Sequence, residues 1–128
     1  MKSLEIRKKN DDKIGLATTM SNIGALYSFQ GNIPLALEYY HASLKIREEI
    51  NDLNGQAVSL NNIGKIHQDH GEAEESLNYY EKGLKIAEAI GFKQGVGTFM
   101  NNIGNLYQNQ LGNDKKALEY FTKSKDVF

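Results

Sequence analysis

Apolar residues recur along the chain at steps of three and four positions, the spacing of one face of an α-helix. Two segments share this pattern, and its members are Ala17, Met20, Ile23, Gly24 and Tyr27 in one and Ala57, Leu60, Ile63, Gly64 and His67 in the other. A segment between them has the same period, with Ala36, Leu37, Tyr40 and Leu44 on one side and Tyr39, Ile46 and Ile50 widening the apolar face. We therefore expect alternating first and second helices in antiparallel pairs, without β-strands.

The pattern repeats every forty residues, because Asn22, Asn62 and Asn102 are each followed by isoleucine and glycine. Residues 36–65 and 76–105 are identical at thirteen of thirty positions, whereas ordinary composition gives about two by chance. A third copy follows with one inserted residue, which we place in a loop. A fixed period in this range is the signature of a repeat array.

Helix-terminating residues divide the repeats. Asp52 is a suitable N-cap for a helix that reaches about His70, and Gly71 is suited to follow it. Asn32 and Pro34 mark the start of a second helix. We predict seven helices, a short one near residues 2–10 and then three pairs. The repeats would span residues 11–50, 51–90 and 91–128, with residues 1–10 as the second helix of an incomplete repeat.

Each helix pair has an apolar face too broad for the pair to bury alone, so adjacent pairs must stack. Glycines interrupt the first helices at Gly24, Gly64 and Gly104, each costing about 1 kcal/mol of helix propensity relative to alanine. We interpret them as packing positions that let the second helix approach closely. Small residues are expected opposite them, namely Ala36, Ser43, Ser76, Gly83, Ala117 and Ser124. The predicted fold class is an all-α solenoid.

Composition limits the function classes. The 128 residues contain 40% hydrophobic and 24% charged residues, with a net charge of −1 and no cysteine. No basic stripe suited to phosphates is present, which argues against nucleic acid as the main ligand. No apolar run is long enough for a membrane span, and the first residues lack the pattern of a signal peptide. We expect a cytoplasmic location and no membrane partner.

The repeat resembles the tetratricopeptide repeat over essentially the whole chain. The signature positions are occupied by Met20, Ile23, Gly24, Tyr27, Ala36, Tyr40 and Ser43, by Leu60, Ile63, Gly64, His67, Ser76, Tyr80 and Gly83, and by Met100, Ile103, Gly104, Tyr107, Ala117, Phe121 and Ser124. His67 and Ser76 are mild departures from the pattern. The forty-residue period is similar to the longer-repeat branch found in kinesin light chains, Pins/LGN adaptors and bacterial signalling proteins. The resemblance implies a right-handed superhelix of about three repeats plus an orphan N-terminal helix.

The resemblance also implies a non-catalytic protein interaction scaffold, whose concave groove is lined by the first helices and holds a peptide segment of a partner. The sequence itself points to the same surface, because the side of each first helix opposite the apolar stripe is polar but hardly charged. The predicted peptide-binding residues are Ser21, Asn22, Asn61, Asn62, Lys65, Asn101, Asn102 and Asn105.

Asparagine suits this role because its amide has one acceptor and two donors, and can pair with both groups of a peptide backbone. In the longer-repeat relatives, asparagines at this position look like a ladder along the bound peptide. The alternative is structural, since asparagines inside helices often bond to neighbouring helix groups and touch no ligand.

The competing class is an enzyme. The strongest candidates for its catalytic or metal-binding residues are His67, Asp69 and His70, which fall within one helical turn. Two histidines need a third protein ligand to hold a metal, and none is identifiable. His67 also occupies the position of Tyr27 and Tyr107, which indicates a buried spacer. No phosphate loop or nucleophile elbow is present. We expect no catalytic residues, metal or cofactor.

A third class is a sensory, regulatory or self-assembling segment of a larger bacterial signalling protein, for example one that precedes a histidine kinase. Residues Ser3 to Lys9 align with Ser43 to Glu49, so the chain opens in the second helix of a repeat. The end of such a solenoid exposes apolar surface. We therefore expect that exposed terminal helices can support a homo-oligomer.

Overall fold

Six α-helices make up the fold. The structure is a computed structural model that describes the backbone of residues 2–127 and the side chains of residue 9 and residues 11–127. The helices are α1 (Lys2–Phe29), α2 (Ile33–Glu49), α3 (Leu53–Asp69), α4 (Ala73–Ala89), α5 (Lys93–Asn109) and α6 (Asp114–Val127). Within those residues there is no strand, as predicted. The helices pack as consecutive pairs, α1 with α2, α3 with α4 and α5 with α6, and adjacent pairs stack into an all-α solenoid.

The prediction of seven helices is wrong, because the expected short helix near residues 2–10 is continuous with the first helix of the next pair. The difference lies at the position of a turn. Each turn between helices places one residue in the left-handed region, which is a glycine in four turns and Asn51, at φ 56°, in the fifth. The residue equivalent to Asn51 ahead of the first pair is Asp11, and it stays helical.

Local capping begins the helices where the sequence predicts. The Asn32 side chain accepts a hydrogen bond from the Leu35 N–H at 3.4 Å, and the Asp52 carboxylate accepts one from the Gly55 N–H at 3.0 Å. These side chains satisfy N–H groups that have no partner in the first helical turn. At the end of α3, Gly71 adopts a φ of 73°. The helix ends at Asp69, one residue before the predicted position.

Aromatic rings of the second helices fill the space that the first-helix glycines leave. A Cβ atom on Gly64 would lie 2.7 Å from the Tyr80 ring, and one on Gly104 would lie 2.7 Å from the Phe121 ring. Small residues bring the backbones together as predicted, since the Ser76 hydroxyl donates to the Gly64 carbonyl at 2.7 Å. The glycines therefore have a packing role, because each leaves room for an aromatic ring of the second helix in its pair.

The two interfaces between helix pairs have different residues at equivalent buried positions. Between α2 and α3, the buried Arg47 guanidinium donates to the Gly55 carbonyl at 3.0 Å and to the Ser59 hydroxyl at 2.9 Å. Between α4 and α5, the equivalent positions hold Ala87 and Phe99, both buried. The long side chain of Arg47 thus faces the small Ser59 between α2 and α3. Between α4 and α5 the small Ala87 takes the place of the arginine, and the Phe99 ring takes the place of the serine.

Replacing Arg47 by alanine should lower the free energy of unfolding by about 1.5–3 kcal/mol, because the Ser59 hydroxyl and the Gly55 carbonyl lose a charged donor. Burial lowers the pKa of Arg47, and the nearby Asp52 carboxylate raises it again in part. Lys45→Ala, on the exposed side of the same helix, is the matched control. Urea unfolding of both variants checks the prediction. Equal midpoints for the two would contradict it.

Candidate functional site: the first-helix surface

Mainly polar residues of α1, α3 and α5 form one surface on the side of these helices opposite the buried stripe. We call it the first-helix surface. Its members are all exposed or half-buried, and they are Thr18, Asn22, Ala25, Val58, Asn61, Asn62, Lys65, Thr98, Asn101, Asn102 and Asn105. Lysine is the only charged type among them, so the surface offers mainly amide and hydroxyl groups.

A direct hydrogen bond joins two of the predicted peptide-binding residues. The Asn102 side-chain nitrogen donates to the Asn61 side-chain oxygen at 2.9 Å, which links α5 to α3. A second bond, from the Gln110 side chain to the Gln68 carbonyl at 2.8 Å, links the far ends of the same helices. The sequence did not distinguish Asn102 from its equivalents, but this amide already has a protein partner.

Ser21 turns toward the second helix of its own pair. Its hydroxyl lies 2.8 Å from that of Ser43, and Ser43 donates to the Ala17 carbonyl at 2.7 Å. Since a hydroxyl has one hydrogen, Ser21 must be the donor to Ser43. Of the predicted residues, Ser21 is thus the one that the structure ties to α2.

Asn62 differs from Asn102 for a local reason. The bond between Asn61 and Asn102 would have its counterpart between Ser21 and Asn62, but serine is shorter and is bonded to Ser43. Among the described residues, the Asn62 side chain has no assigned hydrogen-bond partner, and it is half-buried. Of the four half-buried asparagines of the surface, Asn61 and Asn102 bond to each other, and Asn62 and Asn105 have no assigned partner among the described residues.

Two pockets open on the first-helix surface, one on each side of α3. The pocket between α1 and α3, of about 350 Å³, is lined by Asn62 and Lys65 together with Phe29, Tyr40 and Ile66. The pocket between α3 and α5, of about 190 Å³, is lined by Asn61, Val58 and Thr98 together with Phe92 and Phe99. Each pocket thus places an asparagine beside aromatic residues, and the pocket between α1 and α3 also has Ser28, Lys65 and Asp69 in its walls.

Sequence reasoning gave no binding role to Phe29 and Phe92, the exposed aromatic residues of these pockets. Phe29 is 91% exposed at the end of α1, and Phe92 is 40% exposed at the start of α5. One signal was present for Phe92, because it stands where Asp52 caps the preceding first helix and it makes no capping bond. A residue that cannot cap at a capping position indicates another use for its side chain.

The charges at the first-helix surface offset each other, so this surface is close to neutral. Lys65 and Asp69 both line the pocket between α1 and α3, and they have opposite charges. Beneath the surface, burial raises the pKa of Tyr80 to about 12, and its hydroxyl donates to the Gln68 side chain at 2.7 Å. Tyr80 is therefore a neutral core residue at physiological pH.

The histidines considered for a metal have other partners. His67 stacks on Tyr79 with ring centroids 5.5 Å apart, and its Nδ1 lies 3.2 Å from a Glu72 carboxylate oxygen. His70 Nδ1 lies 2.8 Å from the Ile66 carbonyl. Stacked pairs also occur at the equivalent Tyr27–Tyr39 and Tyr107–Tyr120. The described residues contain no group of three or more histidine or acidic side chains that could hold a metal ion.

In the same part of the chain, none of the helices combines the length and the apolar character that a membrane span requires.

Comparison with known proteins identifies the repeat. The family model described as Tetratricopeptide repeat matches residues 1–49, 15–89 and 55–128, which together cover the whole chain. A similar solved structure is the N-terminal domain of stress-induced protein-1 (STI-1) from C. elegans, with a TM-score of 0.75 and 18% sequence identity over 91% of this chain and 87% of that chain. At this identity the likeness concerns the fold. No curated protein matches the chain significantly in sequence.

Proposed function

The chain belongs to the tetratricopeptide repeat family, whose domains generally mediate protein–protein interaction, and we propose that it is a non-catalytic scaffold whose first-helix surface is a concave groove for a peptide segment of a partner protein. The observation that carries the proposal is the half-buried amide of Asn62, which has no assigned partner among the described residues and lines the pocket between α1 and α3. A second pocket, lined by Asn61, opens on the other side of α3. Such a surface offers backbone recognition and side-chain recognition together.

The chemistry of the pockets defines the ligand. Asn62 pairs with the C=O and N–H of an extended backbone, and two apolar side chains of the peptide enter the pockets on either side of α3. Because Lys65 and Asp69 offset each other, the preferred segment has little net charge. We place the protein in the cytoplasm, since a chain without cysteine suits a reducing compartment.

The forty-residue period favours the longer-repeat branch of the family. Within that branch, the sequence most resembles bacterial signalling proteins. A second candidate function, a regulatory or self-assembling segment of such a protein, is favoured by one observation. Leu16 and Leu26 of α1 are large apolar residues that stay about half exposed at the first end of the solenoid. The two functions use different surfaces and are compatible.

Backbone amide shifts of the ¹⁵N-labelled protein test the proposed location of the groove. The probe is a peptide selected against the protein from a random library. We expect the largest shift changes on α3 and α5, at residues such as Asn62, Thr98 and Asn101. The control titration uses the same peptide with its apolar side chains replaced by serine, which should bind more weakly. Changes confined to α2, α4 and α6 would contradict the proposal.

A further inference from the structure

The two pockets of the first-helix surface differ in charge. None of the described residues that line the pocket between α3 and α5 is charged, and two of them are phenylalanines. On the other side of α3, the pocket wall includes Lys65 and Asp69. A charged side chain that enters an uncharged pocket loses hydration and gains no partner of opposite charge. The pocket between α3 and α5 therefore disfavours acidic and basic side chains.

The size of this pocket limits its occupant further. Its volume is about 190 Å³, and an apolar cavity of about 150 Å³ is large enough to bind benzene. Sites for drug-sized ligands are larger, about 300–1,000 Å³. The pocket therefore has room for one aliphatic or aromatic side chain of a peptide.

Phe99 is a preformed floor of the pocket. It is 3% exposed, and its ring packs edge-to-face on Tyr80 with centroids 6.2 Å apart. Its ring also fills the space beside Gly83, where an added Cβ atom would clash with it. These contacts hold the ring in place before a peptide arrives.

Phe92 is the exposed wall of the pocket. Its ring lies over Gly95 of the same helix, where an added Cβ atom would lie 2.5 Å from it. Phe92 occupies the N-cap position of α5 and makes no capping hydrogen bond. In α3 the equivalent residue is Asp52, which accepts a hydrogen bond from the Gly55 N–H. An aromatic ring at the pocket thus replaces a residue that stabilises the helix start.

The apolar pocket is not a general consequence of the repeat. At the equivalent positions between α2 and α3, Asp52 bonds to the Gly55 N–H, and Arg47 bonds to the Ser59 hydroxyl. There the polar groups satisfy one another within the protein. Between α4 and α5 the corresponding side chains are apolar, and they adjoin an open pocket.

We propose that the pocket between α3 and α5 selects the peptide by taking one large, uncharged apolar side chain, with Phe92 as the specificity-determining residue. This rests on the groove proposed above, of which the pocket is one part. The pocket between α1 and α3 accepts polar side chains as well, because Lys65 and Asp69 lie in its walls. A partner segment therefore has an obligatory apolar residue on the α5 side of Asn62 and a wider choice of residue on the α1 side.

Phe92→Asp tests the assignment in combination with changes in the library-selected peptide, whose apolar residues are replaced by serine one at a time. Phe92→Asp should weaken binding of the parent peptide about tenfold, because an apolar contact is lost. One serine peptide should bind wild type more weakly and lose little further affinity in Phe92→Asp, since both changes remove the same contact. Phe29→Asp, the same change at the pocket between α1 and α3, is the matched control, and its effect should add to that of this serine.

The fold of the variant is checked by its melting temperature, which should stay close to that of wild type. The new carboxylate can accept the Gly95 N–H as Asp52 accepts that of Gly55. Phe92→Ser also supplies a capping side chain, carries no charge, and should show the same loss of binding.

The outcomes separate this proposal from the proposed groove. Amide shift changes on α3 and α5, with the effect of Phe92→Asp additive to that of every serine peptide, would overturn the pocket assignment and leave the groove in place. Binding as tight as wild type by both Phe92 variants would do the same. Shift changes confined to α2, α4 and α6 would overturn both proposals.

Discussion

Replacing Gly64 by leucine is expected to lower the free energy of unfolding by about 3 kcal/mol. The reason is the Tyr80 ring, which would lie 2.7 Å from the new Cβ, closer than real Cβ contacts. Tyr80 cannot move aside easily, because it is buried and its hydroxyl donates to the Gln68 side chain. Thermal or urea unfolding followed by circular dichroism measures the effect.

Two further substitutions separate packing from helix propensity. Gly24→Ala should be tolerated better than Gly64→Ala, since the Tyr40 ring lies 3.0 Å from the added Cβ of residue 24. Ala89→Leu, at an exposed position of α4, adds a leucine without a clash and should leave the unfolding midpoint nearly unchanged. Equal stability of Gly64→Leu and Ala89→Leu would show that the glycine has no packing role.

The helix pairs were predictable because each repeat carries its own signals. The spacing of Ile23, Gly24 and Tyr27 defines a helical face, and Asp52 and Asn32 define helix starts by local hydrogen bonds. The continuous α1 was not predictable in the same way. The repeat pattern suggested a turn at residue 11, but Asp11 is helical and the chain does not reverse there.

The sequence predicted which surface forms the candidate site, but it did not predict the role of each residue on that surface. Periodicity placed Asn62 and Asn102 at equivalent positions, and their residue types are the same. Their environments differ because the residue opposite Asn102 is Asn61, whereas the residue in the corresponding position opposite Asn62 is Ser21. Such differences depend on side-chain reach between neighbouring repeats, which a pattern within one repeat does not contain.

The second large effect concerns binding. The double variant Asn62→Ala/Asn102→Ala should bind the selected peptide roughly ten- to a hundredfold more weakly, since each hydrogen bond contributes about 0.5–1.5 kcal/mol net. Asn102 also donates to Asn61, so part of any loss of stability in this variant comes from that bond. Asn102→Ala alone should therefore melt slightly below wild type. Fluorescence anisotropy and thermal melting of the double variant and of both single variants, Asn62→Ala and Asn102→Ala, separate the two contributions.

Asn62→Ala alone tests the peptide groove most directly, because the Asn62 amide has no assigned bond within the described residues. The measurement is the dissociation constant of the selected peptide together with the melting temperature. Asn78→Ala, an exposed asparagine on α4, is the matched control. The expected result is binding weakened up to about tenfold at an unchanged melting temperature, with Asn78→Ala like wild type. Binding as tight as wild type, with a melting temperature several degrees lower, would show that Asn62 is structural and that the proposed groove contact is wrong.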